Sequence, residues 1–117
     1  MSIIVFTPDP KGLLSAIKNA IDKEAGEKGS IDTWAYDKDG DFTHSPSQWN
    51  KEAWLRPHVG SGILQFGIVG KKGVAMTKAL YGVYHGRFIE MLETHFDDLF
   101  SLVTATAQKD AEVDLFK

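Results

Sequence analysis

The chain has 117 residues, 43% of them hydrophobic and 25% charged, enough apolar surface for a packed core and neither a disordered nor a fibrous composition. It contains no cysteine, which excludes disulfides, thiolate catalysis and cysteine-ligated metal sites. A formal net charge of −3 argues against an extended cationic face for nucleic acid and favours proteins or small molecules as partners.

The opening MSIIVFTPDP has no basic region and too short an apolar run for a signal peptide, and no later stretch has the length to span a bilayer. A cytoplasmic protein with no membrane partner is expected. Residues 2–6, β-branched and aromatic, predict a strand that TPDP ends. Asp9 is placed to cap a helix whose first position is Pro10, where a missing N–H costs nothing. Leu13, Leu14, Ile17, Ala20, Ile21 and Ala25 recur at helical spacing, with Gly26 as a left-handed C-terminal cap.

After the turn EKGS, residues 31–36 predict a strand. If Lys38, Asp39 and Gly40 form a three-residue loop, Asp37 faces Asp41, Tyr36 faces Phe42 and Trp34 faces His44. One face of this hairpin then gathers Trp34, Tyr36, Phe42 and His44. SPSQW reads as a short helical turn with Ser45 as cap, Pro46 first, Gln48 closing a capping box and Trp49 as anchor.

A second hairpin follows, KEAWLRPHV and ILQFGIVG around GSG. A two-residue turn at Gly60 and Ser61 sets Leu55 against Phe66 and Ala53 against Ile68, a register that buries no charge. Trp54, Arg56 and His58 fall on the other side with Gln65 and Gly67, where Trp54 has room over the bare glycine. Beyond GKKG a helical pattern runs over 74–99; Leu80, Tyr84, Phe88, Met91, Leu92, His95 and Leu99 cluster on it, with His85 at the edge of the stripe. Gly82 and Gly86, four apart on one flank, each cost helix stability and predict a close neighbour there, a strand, the first helix or a second subunit. SLVTATA fits a fraying helix end or a last strand.

The expected fold is α+β: a two-layer sandwich with a mostly antiparallel sheet of four to five strands and two amphipathic helices on one face, in the order β-α-β-β-β-β-α. Residues 1–107 form the domain, and 108–117 are a mobile C-terminal tail with an apolar hook, Leu115 and Phe116. With both helices on the side of Leu55, Leu64, Phe66 and Ile68, the opposite side is expected to show Trp34, Tyr36, His44, Trp54, Arg56 and His58. Aromatics and arginine are what contact surfaces over-use. A cover from the tail or from the 45–52 segment is the competing expectation.

No diagnostic catalytic, metal or cofactor motif occurs. DKDGD lacks the glycine and glutamate spacing of a calcium loop and reads as a turn. GKKG is not a P-loop. No histidine pair has metal-ligand spacing, and His85 and His95 stand ten residues apart, about 15 Å along a helix. The expected function is therefore a non-catalytic binding or protein-interaction module, without cofactor or metal, whose partner is another protein or a second copy. A small enzyme or small-molecule-binding protein using His44, Arg56 and His58 is the alternative, His44 or His58 acting as base. The order helix, antiparallel strands, helix over Lys11 to about Leu99 is similar to that of double-stranded RNA-binding domains. Only Lys71, Lys72 and Lys78 match at motif level, and the acidic balance makes nucleic acid the third reading.

Overall fold

The structure, a computed structural model, describes residues 2–116. It has an α+β fold with the elements β1 (Ser2–Phe6), α1 (Pro10–Asp22), β2 (Trp34–Tyr36), β3 (Phe42–His44), β4 (Ala53–Val59), β5 (Ile63–Gly70), α2 (Lys78–His95) and β6 (Leu102–Ala105). One sheet holds six strands in the order β2-β3-β4-β5-β1-β6, every pair antiparallel. The sixth strand, one more than expected, comes from SLVTATA, whose threonines and valine pair with β1 as an edge strand.

α1 starts as its sequence predicts, with Asp9 accepting a bond from Gly12 N at 3.0 Å and Pro10 in the first turn. It ends at Asp22, short of Gly26. Past Ile21 the chain has nothing apolar to bury, Ala25 is exposed, and Gly26 takes its positive φ of 85° in the turn beyond. α2 is capped by Thr77, whose hydroxyl accepts from Leu80 N. The helix stops at His95, so residues 74–77 and 96–99 lie outside it. That early end turns Phe96 inward and leaves His95 and Leu99 exposed, while His85, expected at the rim of the stripe, is buried.

Both helices cover one face of the sheet. Leu13 and Ile17 of α1 and Tyr84, Phe88 and Leu92 of α2 meet Ile3, Val5, Leu55, Leu64, Phe66 and Ile68. Phe88 is the hub, with ring centroids 4.6 Å from Phe66, 5.9 Å from Phe42 and 5.0 Å from Trp34. Gly82 and Gly86 have no neighbour; the close packing expected on that flank of α2 is absent, and nothing in the structure explains the pair.

The first hairpin has the expected register, Trp34 opposite His44 and Tyr36 opposite Phe42. Gly40 takes a positive φ of 82° in the loop that Asp37 closes. The second hairpin differs by two residues: Leu55 faces Ile68 and Arg56 faces Gly67. Its two-residue turn is Ser61 and Gly62, because Gly62 supplies the positive φ of 72° that the turn requires. A slip of two keeps every side chain on its face, so Leu55, Phe66 and Ile68 still line the core.

The C-terminal segment docks instead of trailing. β5 runs past the start of β1, and residues 113–116 fill the vacated edge. Leu115 N donates to Ile68 O, Gly70 N to Leu115 O, and Ile68 N to the Asp114 carboxylate. Val113 and Asp114 are buried. Of the expected hook, Phe116 packs on Tyr81 while Leu115 stays exposed.

Candidate functional site

The six residues expected on one open face lie on both. β3 and β4 pair so that Phe42 faces Leu55, which turns the ring-bearing side of the first hairpin toward the helices. The single six-residue contact face is therefore not formed. On the helix side Trp34 and Phe42 pack against Phe88 of α2.

On the covered side Trp34 is only 2% exposed, edge-on to Tyr84 at 5.6 Å and against His44 at 4.6 Å. Tyr36 sits at the margin. Its hydroxyl donates to the Asp22 carboxylate, 2.7 and 2.8 Å from the two oxygens, tying β2 to the end of α1 and raising the phenol's pKa. His44 is buried at the end of β3, with Nδ1 2.8 Å from Thr33 O. Burial lowers its pKa against the opposing effect of that hydrogen bond.

A hydroxyl relay fixes the turn beside His44. Tyr84 Oη donates to Trp49 O, accepts from His44 N at 3.3 Å, and lies 3.0 Å from Thr43 Oγ1. Thr43 in turn accepts from Lys51 N; Lys51 carries the one positive φ among described non-glycine residues, 59°. The 45–52 turn thereby stands off the sheet beside α2, with the cleft of about 430 Å³ between them lined by Trp34, His44, Trp49, Arg87, Glu90 and Met91. The expected anchor, Trp49, packs against the core. Its turn is held by Trp49 N and Asn50 N donating to Pro46 O.

On the uncovered side stand Trp54, Arg56 and His58, opposite Val69, Gly67 and Gln65. Arg56 is engaged: Nε and Nη2 bond the two oxygens of Asp41 at 3.1 and 2.8 Å, which raises the guanidinium pKa further. His58 is exposed. It lies on the opposite face from His44, so the expected trio of His44, Arg56 and His58 does not converge. Gly67 is covered by Val113 and not by Trp54. Asp110 accepts from Ser2 Oγ and Gln65 Nε2, so the C-terminal segment caps this end of the face.

The other end is bare. Ile63, Phe6 and Leu102 face each other across β5, β1 and β6; Phe6 is 38% and Leu102 52% exposed. Ile4 continues the patch one row in. Sequence reading missed this row because residues 3–6, IIVF, are apolar throughout and show no alternation that marks an outer face. Lys71 of GKKG is paired with Glu52. Among the described residues no cluster of histidines and carboxylates has the form of a metal site, and no helix is long and apolar enough to cross a membrane.

No family model matches the chain, and neither a curated protein nor a solved structure is significantly similar to it.

Proposed function

We propose that the protein is a non-catalytic, cytoplasmic interaction module whose partner is a second copy, joined through β6 and the apolar row beside it. The observation that carries this reading is the sheet edge itself. Residues 101–107, SLVTATA, hold no charge and no proline, although edge strands are ordinarily blunted by such residues. The other edge, β2, has three residues against four in β6, and it is followed by a loop rich in aspartate, DKDGD.

The edge is self-complementary. Thr106 N donates to Ser2 O, and amides alternate along an antiparallel strand, so Val103 and Ala105 direct their N–H and C=O groups outward. A two-fold axis at Thr104 pairs Val103 of each copy with Ala105 of the other. It also brings the two exposed rows of Ile63, Phe6 and Leu102 onto one continuous sheet face.

Less supports the other readings. Arg56 is neutralised by Asp41, His44 and His58 occupy different faces, and Lys71 is engaged by Glu52.

Sedimentation across micromolar concentrations tests the proposal. A dimer is expected, and Ala105→Pro, which removes an outward N–H without touching β1, and Leu102→Lys each weaken it about tenfold or more. A native monomer throughout that range, or a dimer indifferent to both substitutions, overturns it.

A further inference from the structure

The cleft between α2 and the 45–52 turn holds a polar atom that the protein itself leaves unused. His44 is 6% exposed. Its Nδ1 lies against the carbonyl oxygen of Thr33, which only accepts, so Nδ1 carries the ring proton and Nε2 holds a lone pair. No described residue donates to Nε2. It is not sealed either, because every described side-chain nitrogen or oxygen cut off from solvent has a partner. Nε2 therefore opens on the cleft that His44 lines.

The surroundings define what fits. Trp34 and Met91, 2% and 5% exposed, and Trp49 are the apolar part of a lining that also carries Thr33, Gln48, Thr94 and His95; indole beside polar groups suits a ring that carries a polar handle. At the rim Arg87 and Glu90 pair with each other at 3.5 Å, so the mouth has no net charge to select an ion. A volume of about 430 Å³ is at the small end for ligand sites.

We propose that this cleft binds a small neutral aromatic molecule that donates one hydrogen bond, from a ring O–H or N–H, to Nε2 of His44. The site is separate from the β6 edge, and its occupation does not depend on self-association. Its walls are preorganised: the Tyr84 relay fixes Trp49 and the turn, and the Thr33 carbonyl fixes the imidazole tautomer.

Phenol and anisole are the probes, alike in ring and size but only phenol a donor. Titration of the full-length protein, followed by the ring and amide signals of residues 33–49 and 87–95 in nuclear magnetic resonance spectra, is expected to saturate with phenol about tenfold more tightly than with anisole. The variant His44→Phe keeps a ring and removes the acceptor, and there the two probes bind alike. Should that variant fail to fold, the comparison on the native protein still decides. Equal binding of phenol and anisole to the native protein, saturation by neither, or signal changes confined to residues away from the cleft overturns the inference.

Discussion

Asp41, the residue before β3, and Arg56 of β4 are joined, the guanidinium closing on the two carboxylate oxygens through bonds of 3.1 and 2.8 Å. The Asp41 side chain is 6% exposed and that of Arg56 39%. The arginine is thus the solvent-facing lid of an almost buried acid, not a free cation. Arg56→Ala strands the carboxylate and is expected to cost about 1–3 kcal/mol, the range for a buried acceptor left without its donor. Arg56→Lys recovers only part, because an ammonium does not match both oxygens. Urea unfolding of the two variants checks the order; an alanine variant as stable as the lysine one contradicts it.

The tryptophans report the division of the sheet. Trp34 is wedged between His44, Tyr84 and Phe88, so Trp34→Ala should cost about 3–5 kcal/mol. Trp54, half-buried on the uncovered face, should cost clearly less. Thermal midpoints of the two alanine variants give the comparison, and similar losses would mean that both rings are core.

These two tryptophans also mark where sequence reading stops. Within the first hairpin the Asp-Gly loop fixes the pairing, and Trp34 opposite His44 follows from local chemistry alone. Within the second, alternation assigns each residue to its face even though GSG permits two turns; Gly62, not Gly60, takes the left-handed position. Which face of one hairpin continues which face of the other depends on the path of residues 45–52. That path is set by Tyr84, some forty residues on, and no local signal encodes it. The docking of residues 113–116 is equally non-local, since it needs β5 to outrun β1.

Gly82 and Gly86 lie on α2 with open space where a Cβ would stand. Alanine at either place loses no contact and reduces the backbone entropy lost on helix formation. Each substitution should stabilise by about 0.5–1 kcal/mol, read as a higher denaturant midpoint. A loss of stability at either would reveal a close neighbour on that flank.

Gly67 is the opposite case. A Cβ there would overlap the carbonyl of Val113, and the backbone of residues 113–115 cannot yield without losing its bonds to Ile68. Gly67→Ala should therefore release the C-terminal segment while sparing the helical layer, at a cost of about 1–3 kcal/mol. Hydrogen exchange at Leu115 and limited proteolysis after Lys109 are expected to accelerate, with the amides of Phe88 and Leu92 unchanged. Uniform acceleration would mean that the segment and the core unfold together.

His44 makes stability depend on pH in a direction its surroundings dictate. Burial holds its folded-state pKa below the ordinary 6.5, with Arg87 adding to the shift and Glu90 and the Thr33 carbonyl opposing it. The unfolded chain then takes up the proton first as the solution is acidified, so unfolding is favoured as protons are added. The stability tied to neutral His44 is fully present above about 6.5, declines as pH falls from that value towards the lower folded-state pKa, and levels off beneath it. Denaturant midpoints across this range should drop for the native protein and drop less for His44→Phe, which has no proton to gain. A direct titration of the His44 ring signals fixes the window; a ring that titrates at 6.5 in the folded protein would remove the dependence, and one that titrates above it would reverse the sign and remove burial as the dominant cause.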